Sequence, residues 1–176
     1  MKGVVLNVIE EVVVDQFGPA AWEQILSDAG LDGAFTSLGN YPDSDFHAVV
    51  SAAAAILGTT NDAVLETVGV HAFERLHDRL PAASQQYTDP VSLLSALDAV
   101  IHPQVKVLYP DAKPPEFDLD DSDGRLVVRY RSGRNLAPLA SGLVRGCFLH
   151  FGENVTVRVT DIVDGSATLE VDRPER

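Results

Sequence analysis

The stretch LVVRYRSGR, residues 126–134, changes its pattern in the middle, and this change points to the type of fold. Its first half has apolar side chains at every second position, which predicts a β-strand. Its second half places a phenol, a hydroxyl and a guanidinium on Tyr130, Ser132 and Arg134, with a turn predicted at Gly133. If the strand continues, these three hydrogen-bond donors share one side and suit an anionic group. A solvated turn is the ordinary alternative.

Strand patterns appear only after Pro115, and helix patterns dominate before it. Phe117 and Leu119 belong to a first predicted strand, and an Asp-Gly pair at 164–165 predicts a hairpin between the last two strands. A long helix is expected over 136–151, between the two strand regions. A helical half followed by an antiparallel sheet and a long helix predicts an α+β fold.

Five helices are expected before Pro115, and they begin or end at proline, glycine and capping residues. The helix that begins at Pro90 is expected to run through His102, and the apolar residues from Leu94 to Leu108 predict that it lies inside the fold. The helix at 136–151 is expected to begin at a cap on Asn135. In the first helix, seven residues are expected to face inward: Val4, Val5, Val8, Ile9, Val12, Val13 and Phe17.

The 176 residues fit a single domain, and the formal charge of −13 argues against nucleic acid and anionic membranes as partners, because both require basic residues. The apolar N-terminal segment is interrupted by Asn7, Glu10, Glu11 and Asp15, so membrane insertion is not expected. The single cysteine, Cys147, allows no internal disulfide, which fits a cytoplasmic location. Its helical neighbours predict that it is buried.

Of the five histidines, His102 has the most apolar neighbours in the sequence. Val100 and Ile101 precede it, and Val105 follows it. A buried imidazole with one free nitrogen is what a haem-iron ligand requires, whereas a histidine satisfied within the core is the ordinary alternative. No histidine pair has the spacing of a metal-binding motif.

Several short motifs together resemble one known family. They are MKG at the N-terminus, AAWEQIL followed by AGL, a histidine seven residues before Tyr-Pro, a following Pro-Pro, and Tyr-x-Ser-x-Arg. Over essentially its whole length the chain resembles the bacterial haem-nitric oxide/oxygen binding (H-NOX) domain, which is related to the haem domain of soluble guanylate cyclase. The resemblance implies one sensor domain, 1–176, with haem b between a helical distal subdomain, 1–65, and a proximal α/β subdomain, 66–176.

The resemblance also implies roles for individual residues. His102 would be the axial iron ligand, and Tyr130, Ser132 and Arg134 would bind the haem propionates. Pro115 would press on the porphyrin ring and bend it, which is one way in which a protein tunes haem. A proline in an ordinary loop is the alternative for that residue.

One residue departs from the pattern of the family. Pro103 directly follows His102, and it removes the amide that would bond the Ala99 carbonyl. Proline also disfavours helical geometry at the preceding residue. We therefore expect His102 to lie at a kink or a helix end, with a strained or weakened bond to iron.

Oxygen-binding relatives carry a tyrosine at the position that is Leu139 in this chain. Leu143 and Val144 on the same helix, with Val5 and Ile9 on the first helix, complete the expected distal pocket, and none of them is a hydrogen-bond donor. A donor to a polarised ligand contributes about 1.5–3 kcal/mol, or about one to two decades in affinity. The pocket is therefore expected to bind nitric oxide and carbon monoxide and to take up dioxygen poorly.

The output of such a sensor is expected to lie in another protein. The chain contains no kinase, cyclase or phosphodiesterase motif, so it is not expected to be an enzyme. The resemblance implies a separate histidine kinase or cyclic-di-GMP enzyme as partner. The rival hypothesis is a haem-free module that binds an apolar ligand or another protein. A haem peroxidase, a third hypothesis, would need distal acid–base groups that the expected pocket lacks.

Overall fold

A computed structural model describes residues 1–81, 85–122 and 125–173. Helices cover the first part of the chain, and a four-stranded antiparallel sheet with one long helix forms the second, so the α+β prediction is confirmed. The elements are α1 (Gly3–Phe17), α2 (Pro19–Ala29), α3 (Asp43–Leu57), α4 (Asn61–Asp78), α5 (Pro90–Ser95), a π-helical turn (Leu97–Ile101), α6 (His102–Leu108), β1 (Glu116–Asp120), β2 (Leu126–Arg131), α7 (Ala137–His150), β3 (Thr156–Val163) and β4 (Ser166–Asp172).

The four N-terminal helices enclose a first core of buried apolar side chains. The inward face predicted for α1 is correct in its central turns, but Val4 and Val5 are only half-buried. Phe17 was expected to be buried, and this is wrong, because it is the last residue of α1 and its side chain is 56% exposed. Leu6, which was not predicted, is fully buried.

Helices α4 and α7 pack closely together because glycines remove the side chains between them. A Cβ atom on Gly142 would clash with the Glu66 carbonyl oxygen and would lie 2.9 Å from the Cα of Gly69. One on Gly146 would lie 2.6 Å from the Val70 carbonyl oxygen. The predicted boundary between the subdomains at residue 65 falls inside α4 and stays a prediction.

The helix that begins at Pro90 was expected to run without interruption to His102 and to lie inside the fold, and its continuity is wrong. It is divided into α5, the π-helical turn and α6. In the π-helical turn the Ile101 amide donates to the Ala96 carbonyl at 3.0 Å. His102 lies where the π-helical turn ends and α6 begins, in agreement with the expected kink or helix end, although its own backbone is helical, with φ −61° and ψ −37°. None of the residues of α6 is buried, and Val107 is 80% exposed.

The sheet has the strand order β1-β2-β4-β3, and its apolar face packs against α7 in a second core. The predicted hairpin at 164–165 is confirmed, and both of its residues have positive φ, 45° and 81°. Asn135 also has positive φ, 53°, and does not cap α7, whose N-cap is Leu136 with no side-chain hydrogen bond, so the predicted cap is wrong.

Among the described residues, no single helix is long and apolar enough to cross a membrane. Helices α3 and α4 meet that criterion only when they are taken together, and the chain bends by 104° between them.

Candidate functional site

The π-helical turn presents His102 with one ring nitrogen bonded and the other available. Nδ1 lies 2.8 Å from Oδ1 of Asp98, one turn earlier, and the histidine side chain is 14% exposed. Nε2 has no hydrogen bond to another described residue. Histidines that bind metals usually donate their other N–H to a carboxylate or carbonyl, which fixes the tautomer. This arrangement therefore leaves Nε2 as the nitrogen that could bind iron.

The electrostatic surroundings favour the neutral form of His102. Burial lowers the pKa of this imidazole, and the hydrogen bond to Asp98 acts in the opposite direction. Neutral imidazole is the form that binds metal ions.

Asp98 also connects His102 to the sheet. Its second oxygen, Oδ2, accepts a hydrogen bond of 2.7 Å from the backbone amide of Phe117, the second residue of β1. The Phe117 ring lies between two other rings, with centroids 6.0 Å from His102 and 5.6 Å from Tyr130. Phe117 thus links His102 to the start of the Tyr-x-Ser-x-Arg motif. The sequence analysis missed both Asp98 and Phe117, although the i, i+4 spacing of Asp98 and His102 was a usable signal.

Tyr130, Ser132 and Arg134 come together at a turn and not along a continuing strand. Strand β2 ends at Arg131 and the predicted turn at Gly133 is confirmed, so the three donors do not share one side of a continuing strand. Ser132 Oγ accepts a hydrogen bond of 3.2 Å from the Arg134 amide, and the Ser132 amide donates to Gly165 in the β3–β4 hairpin at 2.8 Å. Burial raises the pKa of Tyr130, while the Ser132 side chain, the Leu136 backbone and the Arg134 charge act to lower it.

Arg134 already binds a carboxylate. Its Nε lies 3.1 Å from both oxygens of Asp43, in the first turn of α3, and its Nη1 donates to the Lys113 carbonyl at 2.9 Å. The N-terminal ammonium of Met1 donates to Asp43 Oδ1 at 2.6 Å, and this bond is the main reason why the pKa of Asp43 is lowered. Burial opposes the shift, and Arg134 adds to it. The sequence analysis missed Asp43 because it lies far from Arg134 in the chain.

A cleft of about 430 Å³ lies beside this turn and is lined by residues of both chain halves, among them Asp43, Lys113, Ser132 and Arg134. Pro115 is half-buried immediately before β1. Two positive groups, the Met1 ammonium and the Arg134 guanidinium, share the single Asp43 carboxylate there. These donors suit an incoming carboxylate, such as a haem propionate.

Four of the five residues predicted to form the distal pocket lie in or against the first core. Val5, Ile9, Leu139 and Leu143 belong to or pack against the first core, whereas Val144 is 2% exposed within the second core, on the sheet side. A nearby loop carries a hydroxyl that is already engaged. Tyr41 Oη donates to the Ala34 carbonyl at 3.0 Å and accepts from the Thr36 amide at 2.8 Å.

Other potential sites are weaker. No group of three or more histidine, cysteine or acidic side chains in the described part of the chain is arranged to hold a metal ion. Cys147 is fully buried, as predicted, and burial raises the pKa of its thiol to about 12, so it is unreactive near neutral pH.

Comparison with known proteins gives a consistent result. The haem-NO-binding family model matches residues 2–159. An H-NOX protein from S. oneidensis, solved in the Fe(II)NO ligation state, is 26% identical with a TM-score of 0.90, and the match covers 99% of this chain and 100% of that one. The unliganded Fe(II) form of an H-NOX protein from K. algicida is 26% identical with a TM-score of 0.86, over 100% of this chain and 98% of that one.

A longer relative matches at lower coverage. The soluble guanylate cyclase gcy-32 of Caenorhabditis elegans is 25% identical over 154 residues, which are 82% of this chain and 22% of the cyclase. The chain thus spans about a fifth of the length of the curated cyclases that it matches. The family model and the solved structures both match nearly the whole chain, so the chain belongs to the haem-NO-binding (H-NOX) family of gas-sensor domains.

Proposed function

We propose that the chain binds haem b through His102, senses nitric oxide and carbon monoxide, takes up dioxygen poorly, and signals to a separate enzyme. One observation carries this proposal. His102 has Nδ1 on a carboxylate and Nε2 free, and the Phe117 ring connects it to a turn that already binds a carboxylate.

The residues present fit haem at both of its attachment points. His102 offers a neutral imidazole of fixed tautomer as the iron ligand, and bound haem would supply the iron on which a gas binds. Arg134, with Ser132 and Tyr130 beside it, offers charge-assisted hydrogen bonds to a propionate. The ion pair between Arg134 and Asp43 supports this assignment, because it uses the same chemistry.

The apolar character of the expected distal pocket supports discrimination against dioxygen. Leu139 takes the position of the expected donor, and it packs with Val5 and Ile9 against the first core. The hydroxyl of Tyr41 is occupied by the backbone of its own loop. Bound dioxygen would thus lack the hydrogen bond that stabilises it, whereas nitric oxide and carbon monoxide depend on that bond far less.

The link between Arg134 and Asp43 supports coupling between the predicted subdomains. It joins the turn after β2 to α3 and, through the Met1 ammonium, to the start of α1. Such an ion pair couples the two halves if its geometry differs between two states of the protein. A histidine kinase or a cyclic-di-GMP enzyme is the proposed receiver of the signal.

The decisive experiment is the absorption spectrum of the purified protein. We expect a Soret band in the wild type and its loss in His102→Gly, with recovery when imidazole is added. His71→Gly, in an exposed position on α4, is the control and should keep the band. Folded protein that stays colourless after haem is added would reject the proposal and favour the haem-free module.

The gas preference is tested by a matched pair of substitutions at Leu139. Leu139→Tyr supplies a hydroxyl, and Leu139→Phe supplies a similar ring without it. We expect Leu139→Tyr to bind dioxygen about 10–100-fold more tightly than Leu139→Phe, because one hydrogen bond to a polarised ligand contributes about 1.5–3 kcal/mol. A stable oxygenated spectrum of the wild type in air would contradict the proposed preference.

A further inference from the structure

We infer that Asp98 is the positioning residue for His102 and that it ties the histidine to the first strand of the sheet. This inference rests on the proposed function, because it assigns the control of the same haem site. Asp98 would not touch haem. It would act through the orientation and basicity of the imidazole.

Both oxygens of Asp98 have a specific partner. Oδ1 lies 2.8 Å from His102 Nδ1, and Oδ2 accepts the Phe117 amide at 2.7 Å. The Asp98 side chain is 38% exposed, so the carboxylate keeps contact with solvent while both bonds are made. A single carboxylate therefore bridges the helical turn before His102 and the backbone of β1.

The two hydrogen bonds of Asp98 hold His102 at a place where the backbone hydrogen bonds of a regular α-helix are missing. In the π-helical turn the amides of Ile101 and His102 bond to carbonyls five residues earlier, those of Ala96 and Leu97. Pro103 then has no amide to continue the pattern in either an α or a π register. α6 has no buried residue to anchor it. The backbone bonds around His102 are thus irregular, so we infer that the hydrogen bond to Asp98, together with the neighbouring Phe117 ring, sets the direction of the His102 ring.

Two consequences follow for the iron ligand. A carboxylate that accepts a hydrogen bond from Nδ1–H makes Nε2 a stronger ligand and fixes it as the nitrogen without a proton. The second bond holds Phe117, whose ring lies next to both His102 and Tyr130. A movement of His102 would therefore be transmitted to β1 and towards the Tyr130 end of β2.

The test compares three substitutions in the haem-loaded protein. Asp98→Asn keeps the shape and an acceptor for the Phe117 amide but loses the charge, Asp98→Glu keeps the charge, and Asp98→Ala removes both bonds. Asp62→Asn is the matched control, because Asp62 is exposed on α4 and has no hydrogen bond or ion pair with any described residue. The readouts are the iron–histidine stretching frequency from resonance Raman spectra and the rate of haem transfer to apomyoglobin.

We expect Asp98→Asn and Asp98→Ala to lower the stretching frequency and to release haem about 10–100-fold faster, as is typical when the outer partner of a metal ligand is lost. Asp98→Glu should retain part of both properties, and Asp62→Asn should match the wild type. If Asp98→Ala does not fold by circular dichroism, Asp98→Asn decides the question alone.

Two results would separate a failure of this inference from a failure of the proposed function. If the wild type binds haem and Asp98→Asn keeps its stretching frequency and transfer rate, Asp98 serves only to bond the Phe117 amide and the inference is wrong. If the wild type binds no haem, or binds it without His102, the proposed function itself fails.

Discussion

The α4–α7 pair and the segment 90–108 are both helical, but they are held in opposite ways. α4 and α7 are continuous helices of 18 and 14 residues that meet at glycines, and their inner faces contribute to both cores. The segment 90–108 is interrupted by a π-helical turn and by Pro103, and its last helix has no buried residue. Packing therefore fixes the α4–α7 pair firmly, whereas in the segment it acts on α5 and Ile101 and not on α6.

This difference assigns a separate role to each region: the α4–α7 pair is rigid, and the region that carries His102 can move. Close packing makes the α4–α7 pair a rigid frame, since well-packed interiors do not deform gradually. The histidine proposed to bind iron lies in the other region, next to the Asp98 carboxylate that we infer to position it. A ligand at His102 would then move α6, which has no buried residue, more easily than the frame.

Removing a large side chain from the frame should have the largest effect on stability. Phe148 on α7 is fully buried against the sheet. We expect Phe148→Ala to lower the free energy of unfolding by about 3–5 kcal/mol through lost burial and a cavity. Urea denaturation followed by circular dichroism measures this. A loss below about 1 kcal/mol would show that α7 is not the rigid element described above.

Adding a single methyl group to the helix crossing tests the close approach directly. Gly142→Ala should lower the free energy of unfolding by about 1–3 kcal/mol, because the new Cβ meets backbone atoms of α4 that cannot rotate away. Gly133→Ala is the control, since a Cβ there meets nothing within 4 Å. Equal stability of the two variants would contradict the glycine-mediated packing.

Acid should loosen the end of the frame at which two histidines meet. The His77 ring stacks on Phe73 at 5.7 Å and lies 4.8 Å from the His150 ring, and neither His77 nitrogen has a hydrogen bond. Burial is the main cause that lowers the pKa of His77, and the neighbouring His150 charge adds to it, while Asp78 and Glu74 oppose it.

The lowered pKa of His77 makes the folded protein less stable as the pH falls. Because the pKa of His77 is lower in the folded than in the unfolded protein, the unfolded chain binds more protons as the pH falls below the unfolded value of about 6.5. The contribution of neutral His77 is therefore fully present above that pH and is lost below it. We expect His77→Phe to reduce the loss of stability between neutral and mildly acidic pH, measured by urea denaturation. His71→Phe should leave the loss unchanged.

The smallest effect is expected on α6. Val107 is 80% exposed, so Val107→Ala should change the free energy of unfolding by less than about 0.5 kcal/mol. Thermal unfolding by calorimetry checks this. A large loss would mean that α6 is held as firmly as the frame, and the contrast between the two regions would disappear.

Much of the fold was predictable because local patterns and tertiary packing agree. The hairpin at 164–165, the strands around Val128 and the helix start at Asp89-Pro90 all have strong local signals, and the structure contains each of them. The interruption in segment 90–108 was not predictable in detail. Pro103 signalled an irregularity, but the π-helical turn lies before His102 and leaves that residue helical.

The candidate site was only partly predictable, because some of its contacts join residues that are distant in the chain. Tyr130, Ser132 and Arg134 are close in the chain, so any turn after β2 keeps them near each other. Asp43 reaches Arg134 only because α3 and the turn after β2 meet in the folded protein.

By itself, the sequence determined most of the helices and strands, the sheet-forming half, the burial of Cys147 and the motif that identifies the family. Short-range chemistry is enough for these features, because periodicity, caps and turn residues act over a few positions. Only the tertiary structure decided which carboxylate pairs with Arg134 and which backbone amide donates a hydrogen bond to Asp98. It also decided where glycines let α4 approach α7. Those contacts join residues distant in the chain, and their distances are set by how the helices and the sheet pack.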